Sequence, residues 1–247
     1  MPSPAIIIFP QNPKTGNGWK KVVDPEEPIC SDKSGDDFIQ CTEGKSYAVE
    51  DVIERIGSDE QDYYSPPNNM SDLIEVIPFV SEHWYGITQS VVMKNDTLVS
   101  DNIDSTSSVV LNERLFYTIY IMDKNLQFTS ESPDVIPRTV LSWKQRMGTV
   151  ILYLKVIRHE KLHRTKRPCD PSPEYNLASC IEKRIMNRIG CQPPWRRFSV
   201  DGLPLCDNWT LLSDFHHLHG ELSVMGGIEL SEVTGCHVPC TFFEYKV

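Results

Sequence analysis

Residues 234–245 read TGCHVPCTFFEY, and the two cysteines in that string, Cys236 and Cys240, organise the rest of the chain. They close a series that starts at Cys169 and runs through Cys180, Cys191 and Cys206, leaving only Cys30 and Cys41 outside it. An even number of cysteines gathered at one end is the pattern of a disulfide framework in an oxidising compartment. The order suggests nesting, but six cysteines admit about fifteen pairings, and the residues alone leave the choice open. After Cys240 the texture is apolar and aromatic, as in a β-strand.

Immediately upstream the pattern is helical. Leu177, Ile181, Ile185 and Ile189 repeat on one face of a helix expected over 175–189, preceded by Pro171 and Pro173 and stopped at Gly190. Cys180 lies in its first half, Cys191 follows it directly, and Pro193-Pro194-Trp195 forces an extended segment. A second helix is expected over 209–220. These spacings suggest two antiparallel helices tied by disulfides at the edge of a sheet.

Further upstream, TVILYLKVI at 149–157 is almost continuously apolar and reads as a central strand. Strands are also expected at 73–80, 84–92, 107–111 and 115–122, where β-branched and aromatic residues alternate with Asn/Asp turns. Residues 57–72 read as a surface loop. A short helix is expected over 46–56, with Ser46 as N-cap, Val49, Val52, Ile53 and Ile56 on one stripe, and Gly57 as the stop.

With 247 residues, 40% of them hydrophobic, the chain can bury one substantial core, or a core and a satellite. The net charge of -10 is unevenly spread. Residues 24–75 hold fifteen Asp or Glu against Lys33, Lys45 and Arg55, whereas 155–167 hold six Lys or Arg against Glu160. Solvated faces explain both runs; an acidic lobe facing a basic stalk, or collecting cations, is the sharper alternative. Nucleic acid is excluded as a partner, because the overall field repels phosphates and no aromatic-interleaved basic motif accompanies the run. Sequons at Asn69, Asn95 and Asn208 are candidate glycosylation sites and agree with an extracellular location. No secretory leader is evident and no stretch reaches the ~20 apolar residues of a spanning helix, so a chain that stops on a strand pattern is expected to be a fragment.

Chemistry-bearing constellations are weak. Cys236 and Cys240 with His216, His217 and His219 are a conceivable zinc set, but the second close cysteine pair is missing, and a solvent-exposed histidine cluster is expected instead. Such histidines would titrate near neutral pH. There is no G-x-S-x-G, phosphate-binding glycine loop or H-E-x-x-H, and Asp214 near His216 and His217 lacks a nucleophile elbow, so neither catalysis nor a cofactor is expected.

The succession TVILYLKVIRHEKL, Cys169, YNLASC, IGCQPPW, PLC and TGCHVPCTFFEY resembles the thumb and flanking palm strands of degenerin/epithelial sodium channel ectodomains, most closely the arthropod pickpocket-type members. The resemblance is specific over 145–247; upstream it rests on PAIIIF and LFYTIYIM, similar to palm strands. It implies an α+β fold with a central antiparallel palm-like β-sheet, a helical finger segment and a disulfide-rich two-helix thumb. The implied divisions are 1–28 for the first palm strands, 29–135 for a finger and β-ball-like region, 136–167 for a palm strand, 168–235 for the thumb and 236–247 for a returning palm strand.

It also implies a pairing: Cys169 with Cys240, Cys180 with Cys236, and Cys191 with Cys206. Cys30 and Cys41 remain for a local bridge. Where the acid-sensing branch has further bridges, this chain has Arg184 and Thr234, Ile189 and Asp214, and Phe9 and Phe116, so both partners are absent together; the two phenylalanines are expected to pack in place of a bond. A tryptophan that in that branch precedes the first thumb cysteine is replaced by Lys166, Arg167 and Pro168. The function implied is that of the extracellular part of an amiloride-sensitive, sodium-permeable channel subunit, trimeric with like or unlike subunits. This stretch lacks both membrane helices and the filter, and so should not conduct alone. A secreted, disulfide-stabilised binding protein without a pore is the alternative.

Overall fold

Ala5–Gln11 forms β1, whose Ala5, Ile7 and Ile8 are buried. The computed structural model describes residues 4–11, 30–43, 53–58, 62–64, 74–81, 86–93, 107–111, 116–126, 139–143, 155–166, 168–194 and 198–247. Around β1 an antiparallel sheet assembles from β4 (Ile74–Ser81), β5 (Gly86–Met93), β7 (Phe116–Met122) and β8 (Thr139–Trp143), in the order β4-β5-β1-β7-β8. Proline donates no ladder hydrogen bond, and both strand prolines are placed accordingly. Pro78 lies on the edge strand β4, and Pro10 lies beyond Ile8, where the β5 partner has ended and only β7 continues.

A second antiparallel sheet has the order β3-β2-β6, from β2 (Ile53–Ser58), β3 (Asp62–Tyr64) and β6 (Ser107–Leu111). It corrects the helix expected over 46–56. Ile53 to Ile56 are strand residues paired with Leu111, Val110 and Val109, while 46–52 lie outside the described residues. Isoleucines at i and i+3 satisfy a helical stripe, but the β-branched residues of β6 offered them a partner that local periodicity cannot reveal. Of the strand expected at 149–157, residues 155–157 lie in β9 (Lys155–Glu160), and 149–154 lie outside the described residues. The central position expected for it is corrected, since β9 is half buried and its described partner is β10 (Thr241–Lys246) alone, in a two-stranded sheet.

The remaining layer is helical: α1 (Gly35–Glu43), α2 (Leu177–Ile189), α3 (Trp209–Ser223) and α4 (Gly227–Thr234). Asn176 caps α2, its Oδ1 accepting from the Ser179 amide at 2.9 Å, and Gly190 ends it with a left-handed φ of 79°. The stripe of α2 buries Leu177, Ala178, Ile181, Ile185 and Met186 against Phe215 and Leu222 of α3, Leu230 of α4 and Phe242 of β10. Burial on this scale stabilises by about 1.5–3 kcal/mol per large aliphatic side chain, enough to carry α3 through Gly220, where propensity alone would end it. The helices α1 and α4 have faint sequence signals, because α1 buries chiefly Phe38 and Thr42 and α4 only Leu230.

Candidate functional site

Four disulfides use all eight cysteines. Cys169–Cys240, Cys180–Cys236 and Cys191–Cys206 are nested, with Cα separations of 4.9, 5.9 and 5.1 Å, and Cys30–Cys41 spans 6.1 Å. All eight matured as disulfides mark an extracellular or secreted domain. Each nested bond sits where backbone already converges. At the base, the amide of Asp170 donates to Val238 O at 3.0 Å, and the amide of Cys240 donates to Asp170 O at 2.7 Å. In the middle, Cys180 leaves α2 to meet Cys236 within the apolar core. At the far end the Gln192 and Cys206 amides donate to Pro204 O and Gln192 O, both at 2.9 Å, so Cys191 and Cys206 close a connection already stapled by Gln192. The buried Gln192 side chain adds a bond from Nε2 to Leu203 O and accepts one from the Val200 amide. Sequence reasoning passed over Gln192; a polar residue wedged between Cys191 and two prolines was the available signal.

The fourth bridge reaches the same unit from far away in sequence. Cys30 and Cys41 flank the start and body of α1 and pack with Phe38 against Trp209 and Leu212 of α3. A backbone bridge joins Ser34 to Asn208, and the Gly35 amide donates to Asp207 O at 2.7 Å. Asn208 is the N-cap of α3: its Oδ1 accepts from the Leu211 amide at 3.1 Å and its Nδ2 donates to Asp207 Oδ1 at 2.9 Å. A glycan on this sequon would attach through that Nδ2 and leave the capping oxygen in place. Asn69 and Asn95 lie outside the described residues.

Asp123 joins the helical unit to the large sheet. It follows β7 in a tight turn, with Oδ1 accepting from the Asn125 amide and Oδ2 from the Phe243 amide of β10, both at 2.8 Å. Burial pushes its carboxyl pKa up, against the pull of those two amides. From the same turn, Asn125 O accepts the Leu177 amide at the head of α2, Lys124 O accepts Asn176 Nδ2 at 3.3 Å, and Leu126 enters the helical core. Thr139 Oγ1 of β8 donates to Tyr245 O, adding a second tie to β10. Inside the unit, Tyr175 Oη accepts the His237 amide at 3.1 Å, and burial raises the phenol pKa to about 12.

The histidine expectation is corrected. His216 and His219 are buried on α3 beside Phe215, and only His217 is exposed, 3.7 Å from Glu221. Burial, reinforced by His219, lowers the His216 pKa to about 3, so it stays neutral across the range in which an exposed imidazole titrates. Its Nε2 has no hydrogen-bond partner among the described residues. Nor do His216, His217 and His219 converge on Cys236 and Cys240. Among the described residues the donors that do converge are His163, Cys169 and Cys240, but the two sulfurs are bonded to each other and are not thiolate ligands.

Of the paired positions that lack cysteine, Arg184 sends its Nη2 to within 3.7 Å of where a Cβ on Gly235, the neighbour of Thr234, would lie, and Ile189 and Asp214 line one open groove with Arg188, His217, Leu218 and Glu221. In the large sheet Phe9 stands opposite Thr118 and Phe116 opposite Gln11, two register positions apart; their side-chain packing lies outside the described residues. No protein-family model matches the chain, and no curated protein matches it.

Proposed function

We propose that this chain is the extracellular part of a cation channel subunit of the degenerin/epithelial sodium channel family, sodium-permeable, amiloride-sensitive and trimeric when complete. One observation carries the reading: three nested disulfides span a helical unit whose chain leaves β9 and returns in β10 beside it. The Arg184 guanidinium reaching toward Gly235, the neighbour of Thr234, and the shared groove lined by Ile189 and Asp214 are compatible with that alignment. On this reading the helical unit is the thumb, the five-stranded sheet belongs to the palm, and α1 with the β2 sheet belongs to the finger region. Asp123 and Thr139 then couple thumb displacement to the palm through β10.

The test is to recover the full transcript and express its product in oocytes. The proposal expects an apolar segment of about 20 residues within about 60–80 codons after Val247, and an amiloride-sensitive sodium current. A stop codon directly after Val247 in intact genomic sequence overturns it and favours the secreted binding protein. That second reading draws on the open groove of about 470 Å³ between α2 and α3, whose Arg188, Asp214 and Glu221 could meet a partner's charged side chains.

A further inference from the structure

Between β9 and Cys169 the chain runs Lys161-Leu162-His163-Arg164-Thr165-Lys166, and every one of these residues is exposed. Leu162 is 74% exposed, the most open large apolar side chain among the described residues. The loop is nevertheless braced from within. The Lys161 amide donates to Cys240 O at 2.7 Å, and His163 Nδ1 lies 2.7 Å from Cys169 O and 3.3 Å from the Cys169 amide nitrogen. Cys169–Cys240 fixes the residues against which it leans. His163 is therefore turned to the backbone and Lys161 Nζ lies over the Phe242 ring, 5.1 Å from its centroid, while Leu162 stands out beside Arg164 and Lys166.

Two of the adjoining carboxylates have cationic or imidazole neighbours: Glu160 pairs with Arg158 at 2.7 Å, and Glu244 lies 2.9 Å from His159 and 3.3 Å from Lys246. Residues 161–166 carry three cations and no carboxylate, so the loop is cationic although the whole chain is acidic. We infer that this loop is a docking site for a membrane surface bearing anionic phospholipid headgroups, with Leu162 entering the interface between cations that meet the phosphates. A basic loop with an apolar tip is complementary to a lipid surface, which offers both charge and a hydrocarbon boundary. The proposal rests on the loop alone and does not depend on the channel reading.

Co-sedimentation of the disulfide-intact chain with vesicles tests it. Phosphatidylcholine vesicles containing about one quarter phosphatidylserine should bind the protein and pure phosphatidylcholine should not, with each cation removed lowering the partition coefficient about fivefold. The double variant Arg164→Gln/Lys166→Gln should therefore lose about 25-fold, and Leu162→Ser should weaken binding at unchanged charge. Non-reducing peptide mapping that still finds Cys169 joined to Cys240 shows that the variants are folded. Equal binding to both vesicles, no binding, or insensitivity to these substitutions overturns the proposal. So does self-association at low salt that the double variant abolishes while vesicles are ignored, which would make the acidic stretch of another copy the occupant.

Discussion

His216 occupies the inner face of α3 with its ring shut away from solvent, and its Nε2 donor or acceptor is spent on nothing among the described residues. Such an orphaned polar atom costs about 1–3 kcal/mol. It also makes stability depend on acid. The unfolded chain takes up a proton near 6.5, whereas the folded chain resists until about 3, because burial and then His219 disfavour the imidazolium. Between those values the unfolded state binds more protons, so stability falls as pH falls, by about 1.4 kcal/mol per unit for this group. His216→Phe is expected to flatten this acid limb and to raise stability near neutrality by about 1 kcal/mol; urea midpoints from pH 7 to 4 measure both. A variant that keeps the full acid slope would show that other groups dominate it. The HHLH string displayed its histidines but not their faces, since which side of α3 is covered depends on α2.

Among the elements, the turn after β7 is the one that others depend on. Asp123 there holds amides from its own turn and from β10, so Asp123→Ala removes the acceptor of two half-buried N–H groups and should cost about 1–3 kcal/mol. Asp123→Asn keeps one acceptor and sheds the buried charge, so it should cost less. The sign of its pH dependence follows from the raised pKa: the wild type's advantage over the Asn variant is largest in acid and shrinks as the pH rises above the ordinary aspartate value of 3.8. Guanidinium denaturation of both variants at acid and neutral pH measures this, and an advantage that instead grows with pH would contradict it. Elements with their own signal were legible in advance: α2 had a full stripe, an N-cap and a glycine stop, and β7 its β-branched run. Val49, Val52, Ile53 and Ile56 suit a helix by spacing and a strand by β-branching, and the partner that decides for Ile53 and Ile56, β6, lies some fifty residues away.

At the scale of the whole molecule, the disulfides hold together parts that bury little surface individually. In the chain-entropy model, closing the 71-residue separation of Cys169 and Cys240 is worth about 4 kcal/mol and the 15-residue separation of Cys191 and Cys206 about 3 kcal/mol, although nesting makes the two non-additive. Replacing Cys191 and Cys206 with Ser should therefore cost less than replacing Cys169 and Cys240, which also frees β9 from the base of the helical unit; thermal unfolding of the two double variants compares them. The reverse order would place the stabilisation in packing at the far end, around Gln192. The oxidising compartment, the α+β mixture and the positions of α2, α3, β7 and β10 were determined by the sequence itself, because cysteine count, periodicity and caps are local properties. Tertiary structure alone decided that α1 docks on α3 through Cys30–Cys41, that His216 and His219 are buried, that Asp123 links sheet to helices, and that Ile53 lies in a strand. Each of those outcomes depends on which distant surface arrives to exclude water or complete a hydrogen bond, and no window of neighbouring residues contains that information.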